Sequence, residues 1–265
     1  MKDQILSGLS PAYPWKEHFH WFDSIGSTND EAKRMAIAGA PHGTVLIAGH
    51  QTGGHGRMGR SFHSPEDVGV YLTLILRPDC APGELMHLTC ATAVAMCDAL
   101  ENATGLRPGI KWTNDLVWGK RKLGGILTGL GLNPKGKVDY CIIGIGINVC
   151  QAEADFPEEI RHMAGSLSMV TGKEIPRAQV AAAMMESLCK MSDTLLTGKE
   201  AMLETYRRDC ITLHQDVVLV RGDEKRYGHA LDIDAEGALL VRFPDGTVEA
   251  VNSGEISVRG MYGYT

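Results

Sequence analysis

The sequence lacks long apolar runs. No segment approaches the roughly 20 consecutive apolar residues that a membrane-spanning helix needs. The first residues, MKDQILSGLSPAYPW, contain no apolar stretch of the length found in a secretory signal. These two absences argue against a membrane protein and against export, and we expect a cytoplasmic protein with no membrane partner.

Cysteine pairs are lacking as well. The chain has seven cysteines, an odd number, and no two of them form a Cys-x-x-Cys pair. Disulfide frameworks use even numbers of cysteines, and cysteine-based zinc sites usually contain Cys-x-x-Cys pairs. The cysteines are therefore predicted to be free thiols in a reducing compartment.

An excess of positive charge is also missing. The chain carries 26 lysines and arginines against 32 aspartates and glutamates, a formal net charge of −6. The field of the whole molecule therefore does not attract nucleic acid or an anionic membrane. Any anion that the protein binds must be held by a local cluster of cations.

What is present is an alternation of strand-like and helix-like segments without a fixed repeat. With 265 residues, one large domain followed by a small one is expected. Strands are predicted at 18–23, 44–50, 69–78 and 138–149 and along 109–132, where a basic turn lies at 119–121. Helices are predicted at 27–40, 84–102, 177–196 and 200–208, the first with a capping box from Thr28 to Glu31.

The pattern changes after residue 210. Residues 211–265 alternate short β-rich runs with Gly-Asp, Glu-Gly and Asp-Gly turns, which predicts a small antiparallel barrel of about five strands. This segment holds nine acidic and five basic residues, a net charge of −4. Such a charge argues against a nucleic-acid-binding barrel.

The glycine-rich stretch GGHGRMGRSF at 53–62 joins two apolar runs. Read from Gly54 it is one residue from a phosphate-binding P-loop, with Arg60 in place of the lysine. A P-loop needs a helix directly afterwards, whereas SFHSPEDVG predicts turns. The glycines still allow backbone N–H groups to converge on an anion, and Arg57 and Arg60 add fork-shaped donors. The alternative is a basic surface loop that binds nothing.

Three further motifs carry chemistry. KWTNDL at 111–116 places a cation, an aromatic ring, an amide and a carboxylate side by side. Lys122 opens KLGGIL, and GIGIN at 144–148 combines small residues with an amide. Paired glycines in strands allow a ligand to lie against the backbone. Each fragment alone also has a structural explanation: Trp112 in the core, Asp115 at a turn, Lys122 exposed on a hairpin.

Taken in order, the segments STN, HQTGGHGRMGRSFHSP, KWTNDL, RKLGGIL and GIGINV resemble the biotin protein ligases over most of residues 20–150. The tail SGEISVR is similar to the end of that family's C-terminal barrel. The resemblance implies an α+β fold: a mixed β-sheet with flanking helices in a catalytic domain at 1–210, and an SH3-like barrel at 211–265.

The resemblance also implies a two-step reaction. Biotin and ATP give biotinyl-adenylate and pyrophosphate with Mg²⁺, and a lysine of a biotin carboxyl carrier protein domain then takes the biotinyl group. By motif position, the catalytic residues are Lys122, Arg57, Arg60 and Asp115, with Asp115 also near Mg²⁺. The biotin-binding residues are Ser27, Thr28, Asn29, Gln51, Gly54, His55, Gly56, Arg57 and Lys122. The nucleotide-binding residues are Phe62, Lys111, Asn114 and Asn148.

Two residues depart from the family pattern. His55 stands where the glycine-rich motif usually has its first arginine, and Thr113 stands where KWPNDL has proline. A histidine that is neutral at neutral pH replaces a permanent charge. His55 could either give the reaction a pH dependence or be an ordinary surface histidine.

Other functions stay open at this stage. A lipoate or octanoate ligase or transferase would share the fold class. A biotin-sensing regulator would carry a DNA-binding domain ahead of STN, but only 26 residues precede it, and we expect no DNA binding. A homologue that binds biotin without catalysis is a third alternative. Similar enzymes are often homodimers, and the glycine-rich loop is expected to be mobile when empty and to close over the substrates.

Overall fold

The structure, a computed structural model, describes residues 1–252 and the backbone of 257–260. Seven α-helices are present in these residues: α1 (Lys2–Gly8), α2 (Thr28–Ile37), α3 (Leu88–Thr104), α4 (Glu158–Arg161), α5 (Leu167–Thr171), α6 (Arg177–Thr194) and α7 (Lys199–Asp209). The four predicted helices are confirmed as α2, α3, α6 and α7, although α3 begins later than expected because residues Pro82–Leu85 form a separate 3₁₀ turn. The short helices α1, α4 and α5 were not predicted.

Seven strands form the larger sheet: β1 (Phe19–Ile25), β2 (Thr44–Gln51), β3 (Gly69–Leu76), β4 (Gly109–Lys111), β5 (Asp115–Trp118), β6 (Arg121–Leu132) and β7 (Val138–Asn148). Their order is β1-β2-β3-β7-β6-β5-β4. β1 and β2 are parallel and joined through α2, whereas the other neighbours are antiparallel. The mixed sheet with flanking helices is therefore confirmed.

The N-terminus of α2 is one residue away from the predicted one. The hydroxyl of Ser27, not that of Thr28, accepts the backbone N–H of Asp30, so Ser27 is the N-cap. Serine in extended conformation ahead of the first turn is a strong cap because its oxygen satisfies a backbone donor that the helix leaves open. The sequence pattern predicted a capped helix correctly but placed its N-cap one residue too late.

One face of the large sheet is packed against helices. Along β7, Cys141, Ile143 and Ile145 lie in the main hydrophobic core with residues of α3 and α6, and Ile143 is fully buried. We call this the core face. Its strands and helices bury most of the protein's large apolar side chains, and apolar burial is the dominant favourable contribution to folding.

The opposite face is covered only in part. Tyr140 and Ile142 of β7 pack in a small cluster with Ala32 and Ala36 of α2. Because successive residues of a strand alternate between faces, the next residues on this side are Gly144, Gly146 and Asn148. We call this the site face. It presents backbone and one amide where an ordinary strand would present apolar side chains.

A second, smaller sheet follows the helices. It contains β8 (Asp216–Arg221), β9 (Glu224–Ile233), β10 (Leu239–Arg242), β11 (Val248–Val251) and β12 (Ser257–Gly260), in the order β11-β10-β9-β8-β12. All pairs are antiparallel, and the last strand pairs with the first. This agrees with the predicted small SH3-like module. Part of the SGEISVR segment and the chain end, 253–256 and 261–265, lie outside the described residues.

All seven cysteines are free, as predicted, and five of them are buried. Within the described part of the chain, no helix combines the length and the apolar character that crossing a membrane requires.

Candidate functional site

A cavity of about 780 Å³ opens on the site face, between the start of α2, the glycine-rich loop, the strands β6 and β7, and residues 156–164. It brings together residues that are far apart in sequence. The predicted site residues that line it are Ser27, Thr28, Asn29, Gln51, His55, Gly56, Arg57, Arg60, Phe62, Lys111, Asn114, Asp115, Lys122 and Asn148. Among the predicted site residues, only Gly54 does not line the cavity.

Lys122 is held on a rigid strand. Its backbone N–H donates to the carbonyl of Met163 at 2.7 Å, and its own carbonyl accepts the N–H of Gly165 at 2.9 Å. Its Nζ donates to Asp115 Oδ1 at 2.5 Å. A Cβ on Gly125 would lie 3.3 Å from Nζ, so that glycine leaves the space into which the lysine folds back. The ammonium group is thus fixed by its neighbours before any ligand arrives.

Arg57 approaches from the other side, on the glycine-rich loop. Its guanidinium donates to Asn114 Oδ1 at 2.8 Å, and the amide nitrogen of Asn114 donates to the carbonyl of Ile126 at 3.0 Å. Burial lowers the pKa of Arg57, partly offset by the nearby carboxylate of Asp115. A guanidinium stays charged at neutral pH in either case. Two cations from separate segments therefore face one cavity.

The loop does not have the geometry of a P-loop. Arg57–Gly59 forms a short 3₁₀ turn in which Met58 has φ 56° and Gly59 has φ 71°. Residues 60–68 then run as turn and extended chain into β3. The predicted absence of a helix after the loop is confirmed, so the phosphate-binding geometry of a helix N-terminus does not arise here.

His55 is paired. Its Nε2 lies 2.8 Å from Asp30 Oδ2, in the first turn of α2. The two side chains are 51% and 69% exposed, and exposed ion pairs contribute roughly 0–1 kcal/mol. The residue that replaces the family's arginine thus joins the loop to α2 by a weak contact.

Uncharged polar groups gather at the α2 side of the cavity. The N–H and the hydroxyl of Thr28 both donate to Gln51 Oε1, at 2.8 and 3.0 Å. The amide nitrogen of Gln51 donates to Ser64 Oγ at 3.1 Å, and Ser64 Oγ donates to the carbonyl of Phe62. The buried hydroxyl of Thr73 lies 2.8 Å from Thr28 Oγ1. This network fixes the direction of each donor and acceptor that a neutral ligand would meet.

The glycines of the GIGIN motif receive two side chains. A Cβ on Gly144 would collide with the amide of Asn29, and one on Gly146 would collide with the ring of Phe62. Phe62 is further supported by Tyr71, whose ring meets it edge to face at 6.5 Å. Glycine is needed at both positions because side chains from other elements lie directly on the strand.

Gly54 serves the loop and not the cavity. Its carbonyl accepts the N–H of Phe62 at 2.9 Å, and a Cβ would lie 2.6 Å from the carbonyl oxygen of Phe62. The chain can pass this close only without a side chain.

The comparisons with known proteins agree with this geometry. Residues 21–148 match the Biotin/lipoate A/B protein ligase family, and residues 212–259 match the Biotin protein ligase C terminal domain. The Bifunctional ligase/repressor BirA of Bacillus subtilis is 36% identical over 245 residues, which cover 91% of this chain and 74% of that protein. The chain belongs to the biotin protein ligase family.

Two further relatives extend over nearly the whole chain. The Biotin--[acetyl-CoA-carboxylase] ligase of Mycobacterium tuberculosis is 30% identical over 262 residues, covering 97% of this chain and 93% of that protein. The biotin protein ligase of Aquifex aeolicus in complex with biotin and ATP has 30% identity and a TM-score of 0.77, covering 91% of this chain and 98% of its own. Both the sequence and the fold of a biotin protein ligase are therefore present.

Sequence reasoning missed one wall of this ligase's cavity. Residues 153–166 follow GIGIN without strand or helix periodicity, and their apolar members Phe156, Ile160, Met163 and Ala164 line the cavity. The wall is tied to the site because Asn148 donates to the carbonyl of Gly165 at 3.0 Å. The one feature of the sequence that pointed to this wall was its position shortly after the GIGIN motif.

The lining is strongly cationic for an acidic protein. It contains five lysines and arginines, Arg57, Arg60, Lys111, Lys120 and Lys122, and a single carboxylate, Asp115. Two of the five, Lys120 and Arg60, are exposed at the rim. The local cation cluster that the net charge of −6 made necessary is thus found in this cavity.

Proposed function

We propose that this protein attaches biotin to a lysine of a biotin carboxyl carrier protein domain, in two steps that consume ATP. One observation carries the proposal: Arg57, from the loop, and Lys122, from β6, line the same cavity as the neutral polar network around Gln51. The ligand must therefore combine an uncharged polar end with strongly anionic groups. Biotin beside a nucleoside triphosphate fits that description.

In the first step, an oxygen of the biotin carboxylate attacks the α-phosphorus of ATP. The bond from this phosphorus to the oxygen bridging to the β-phosphate breaks, and pyrophosphate leaves with that electron pair. An anion must approach a polyanion here, so fixed positive charge is the main catalytic requirement. Lys122 and Arg57 supply it near the carboxylate and α-phosphate, and Arg60 supplies it at the rim.

In the second step, the neutral amine of a carrier lysine attacks the acyl carbon of biotinyl-adenylate. The bond from this carbon to the phosphate oxygen breaks, AMP leaves, and the nitrogen loses a proton to solvent. The product is an amide. The cations that bound the first transition state then stabilise the departing phosphate of AMP.

The neutral ring of biotin belongs with Ser27, Thr28, Asn29 and Gln51 at the α2 side. Its ureido group needs both donors and acceptors, which the network offers in fixed orientation. His55 and the backbone around Gly54 and Gly56 close this side through the loop. The resemblance to biotin ligases and the relatives named above support biotin over the lipoate or octanoate alternative.

The nucleotide belongs at the β4–β6 side, with Lys111, Phe62 and the apolar wall. Two amide side chains hold neighbouring groups in place around the nucleotide. Asn114 holds Arg57, and Asn148 holds the carbonyl of Gly165 and accepts from Gln151 at 3.1 Å. We therefore assign to these amides the placement of groups around the nucleotide.

Mg²⁺ fits this site as a companion of ATP. The cavity offers one carboxylate, Asp115, and the described residues contain no cluster of three or more metal-binding side chains. Mg²⁺ is commonly held by one or two carboxylates together with substrate phosphates and water. Asp115 is the residue that would hold the ion, which when bound neutralises charge on the phosphate oxygens.

We further propose that the chain has a catalytic unit at 1–210 and a smaller unit at 211–265. We also propose a cytoplasmic location, in view of the seven free cysteines, and no binding to DNA.

β1 stands at one end of the large sheet, and we propose a homodimer that forms through that edge. Light scattering tests the dimer, and a low-salt gel shift tests DNA binding.

Closure of the glycine-rich loop over the substrates is also part of the proposal, because glycine loses much conformational freedom when a loop is ordered. Limited proteolysis should cut residues 53–60 more slowly when biotin and ATP are both present. Equal cutting with and without the substrates would count against closure.

The decisive experiment is biotin transfer to a carrier fragment, detected with labelled streptavidin, together with pyrophosphate release. The parent should be active with biotin and inactive with lipoate, and the variants Lys122→Ala and Arg57→Ala should lose most transfer. Lys135→Ala, an exposed lysine in the β6–β7 turn, is the matched control. A parent that binds biotin but releases no pyrophosphate would be a binding protein and not a ligase.

A further inference from the structure

One buried hydroxyl on β3 takes no part in the two chemical steps. β3 has the sequence GVYLTLIL, every residue of it is buried, and Thr73 is fully buried. Valine has the same branched shape as threonine and is also favoured in strands. A hydroxyl that leaves water costs free energy unless it forms a hydrogen bond. Packing alone would be satisfied by valine, so the threonine is explained by what its hydroxyl contacts.

Thr73 lies on the site face. In the antiparallel register of the sheet it is opposite Gly144 of β7 and Leu46 of β2. Leu46 belongs to the small apolar cluster that includes residues of α2, whereas Gly144 lines the cavity. Directly opposed residues of antiparallel strands have their side chains on the same face. Thr73 therefore stands at the border between the apolar contact with α2 and the open cavity.

Two side chains from the start of α2 lie within hydrogen-bonding distance of this hydroxyl. Thr73 Oγ1 is 2.6 Å from Asn29 Oδ1 and 2.8 Å from Thr28 Oγ1. Asn29 and Thr28 both line the cavity. One buried hydroxyl beneath the helix thus restrains two neighbouring polar groups that a ligand would meet.

The amide of Asn29 depends most on this contact. Within the part of the chain that the structure describes, the Thr73 hydroxyl is the group that bonds to this amide. On its other side lies Gly144, where an added Cβ would collide with the amide. Because Thr73 and Gly144 are opposite each other in the sheet, the amide rests on the pair that they form. The glycine leaves the space for the amide, and the hydroxyl sets its direction.

A purely structural role would have a different signature. If the hydroxyl only joined β3 to α2, its loss would lower stability and affect both substrates alike. Asn29 and Thr28 lie on the side of the cavity that we assign to the biotin ring, whereas Lys111 and Phe62 lie on the nucleotide side. A change in the positions of Asn29 and Thr28 should therefore reach biotin and spare ATP.

Resting on the proposed function, we propose that Thr73 is a positioning residue for biotin: its buried hydroxyl holds the Asn29 amide and the Thr28 hydroxyl in the orientation in which they meet the ureido ring. Thr73 does not itself line the cavity, and it acts through these two residues. A cyclic urea presents donors and an acceptor in fixed directions, so its recognition depends on polar groups that are held in place.

Thr73→Val tests this directly. The substitution keeps the branched shape and removes the hydroxyl, so the Asn29 amide loses its buried partner. We expect the KM for biotin to rise about tenfold while the KM for ATP changes by less than about twofold. Thr73→Ser keeps the hydroxyl and should have a KM for biotin within about twofold of the parent. Equal increases of both KM values in Thr73→Val would overturn the inference.

Thr92→Val is the matched control. Thr92 is also fully buried, and its hydroxyl donates to the carbonyl of Leu88 at 2.8 Å within α3, which packs on the core face. The chemical change is the same but lies away from the cavity. Both KM values should stay at those of the parent, whatever the change in melting temperature. A rise in the KM for biotin as large as that of Thr73→Val would contradict a specific role of Thr73.

Two further comparisons keep the test decisive if Thr73→Val folds poorly. Thr73→Ala and Thr73→Ser differ only by the hydroxyl, so the serine variant should bind biotin several-fold more tightly. Removing the hydroxyl should also matter less in an Asn29→Ala background, because one of its two contacts is then already absent. Equal affinities of the alanine and serine variants, or equal effects in both backgrounds, would reject positioning through Asn29.

Calorimetric binding of biotin without ATP separates this inference from the proposed function. A parent that binds biotin but forms no biotinyl-adenylate would refute the ligase reaction, and the comparison of Thr73→Val with Thr92→Val would still decide the role of the hydroxyl. A parent that transfers biotin, together with an unchanged biotin affinity in Thr73→Val, would leave the ligase reaction intact and reject the inference.

Discussion

The two faces of β7 carry different kinds of residue, large apolar side chains on one side and glycines on the other. On the core face, Ile143 is fully buried among residues of α3 and α6. On the site face, its neighbour Gly144 carries no side chain and supports the amide of Asn29. Alternate residues of one strand thus fill the core and form the floor of the cavity, so substitutions one position apart should have separable effects.

The largest effect on stability is expected on the core face. Ile143→Ala should lower the free energy of unfolding by about 2–5 kcal/mol, because it removes buried apolar groups and leaves a cavity. The KM values of the molecules that remain folded should not change. Urea unfolding followed by kinetics below the midpoint measures both quantities, and a selective change in the KM for biotin would show that the faces are not independent.

The largest effect on activity is expected beside the site face. Lys122→Ala should reduce the rate of biotinyl-adenylate formation about a hundredfold, or about 3 kcal/mol of transition-state stabilisation. Its melting temperature should fall, because Asp115, whose side chain is only 18% exposed, loses one of its charged neighbours, so the rate is compared at a temperature where both proteins are folded. Single-turnover pyrophosphate release measures the rate, and a drop below tenfold would contradict the assigned role.

A smaller effect on activity is expected at Gly144, on the site face itself. Gly144→Ala should raise the KM for biotin about tenfold, because the new methyl group displaces Asn29. Stability should fall by about 1 kcal/mol, because the displaced amide loses the hydrogen bond that it accepts from Thr73 at 2.6 Å. Biotin titration monitored by calorimetry gives the affinity. Unchanged affinity would mean that Asn29 can move without consequence.

The smallest effect concerns pH and the buried histidine His87. Burial lowers the pKa of His87, whose Nε2 donates to the carbonyl of Leu195 while Nδ1 has no partner and would hold the added proton. Its folded pKa lies below the unfolded value of about 6.5. The unfolded chain therefore binds more protons between these two values, and stability falls as pH drops through that interval, by up to about 1.4 kcal/mol per pH unit.

Thermal unfolding at pH 7.5 and 5.5 measures this dependence. His87→Gln should have a shallower dependence than the parent. An unchanged dependence would show that the buried histidine does not contribute to the acid response.

The sequence predicted the strands of the large sheet because their apolar runs end at glycine, proline and charged turns. It predicted which residues would line the cavity because the glycine-rich loop and the motifs KWTNDL, KLGGIL and GIGIN carry cations or amides. It could not predict that Asn114 would hold Arg57, since nothing local connects residues 57 positions apart. Thr73 was missed for a related reason, because a threonine within an apolar strand looks like any other strand residue until α2 lies above it.

The apolar wall was missed because it has no periodicity. Residues 153–166 consist of a 3₁₀ turn, the one-turn helix α4 and irregular chain, and their backbone accepts or donates hydrogen bonds with Arg121, Lys122 and Asn148. Such a segment takes its shape from its neighbours, and propensity carries little information about it. The C-terminal module was easier to predict from the sequence, because its turn dipeptides recur between short β-rich runs.

The backbone bonds of Lys122 to Met163 and Gly165 join the lysine to the apolar wall. The other end of the wall is held as well, because the carbonyl of Asp155 accepts the ring N–H of His63 at 3.0 Å and Glu153 pairs with Arg121 at 3.2 Å. A substitution that shifts the wall should therefore also shift the strand residue that brings the ammonium group to the cavity.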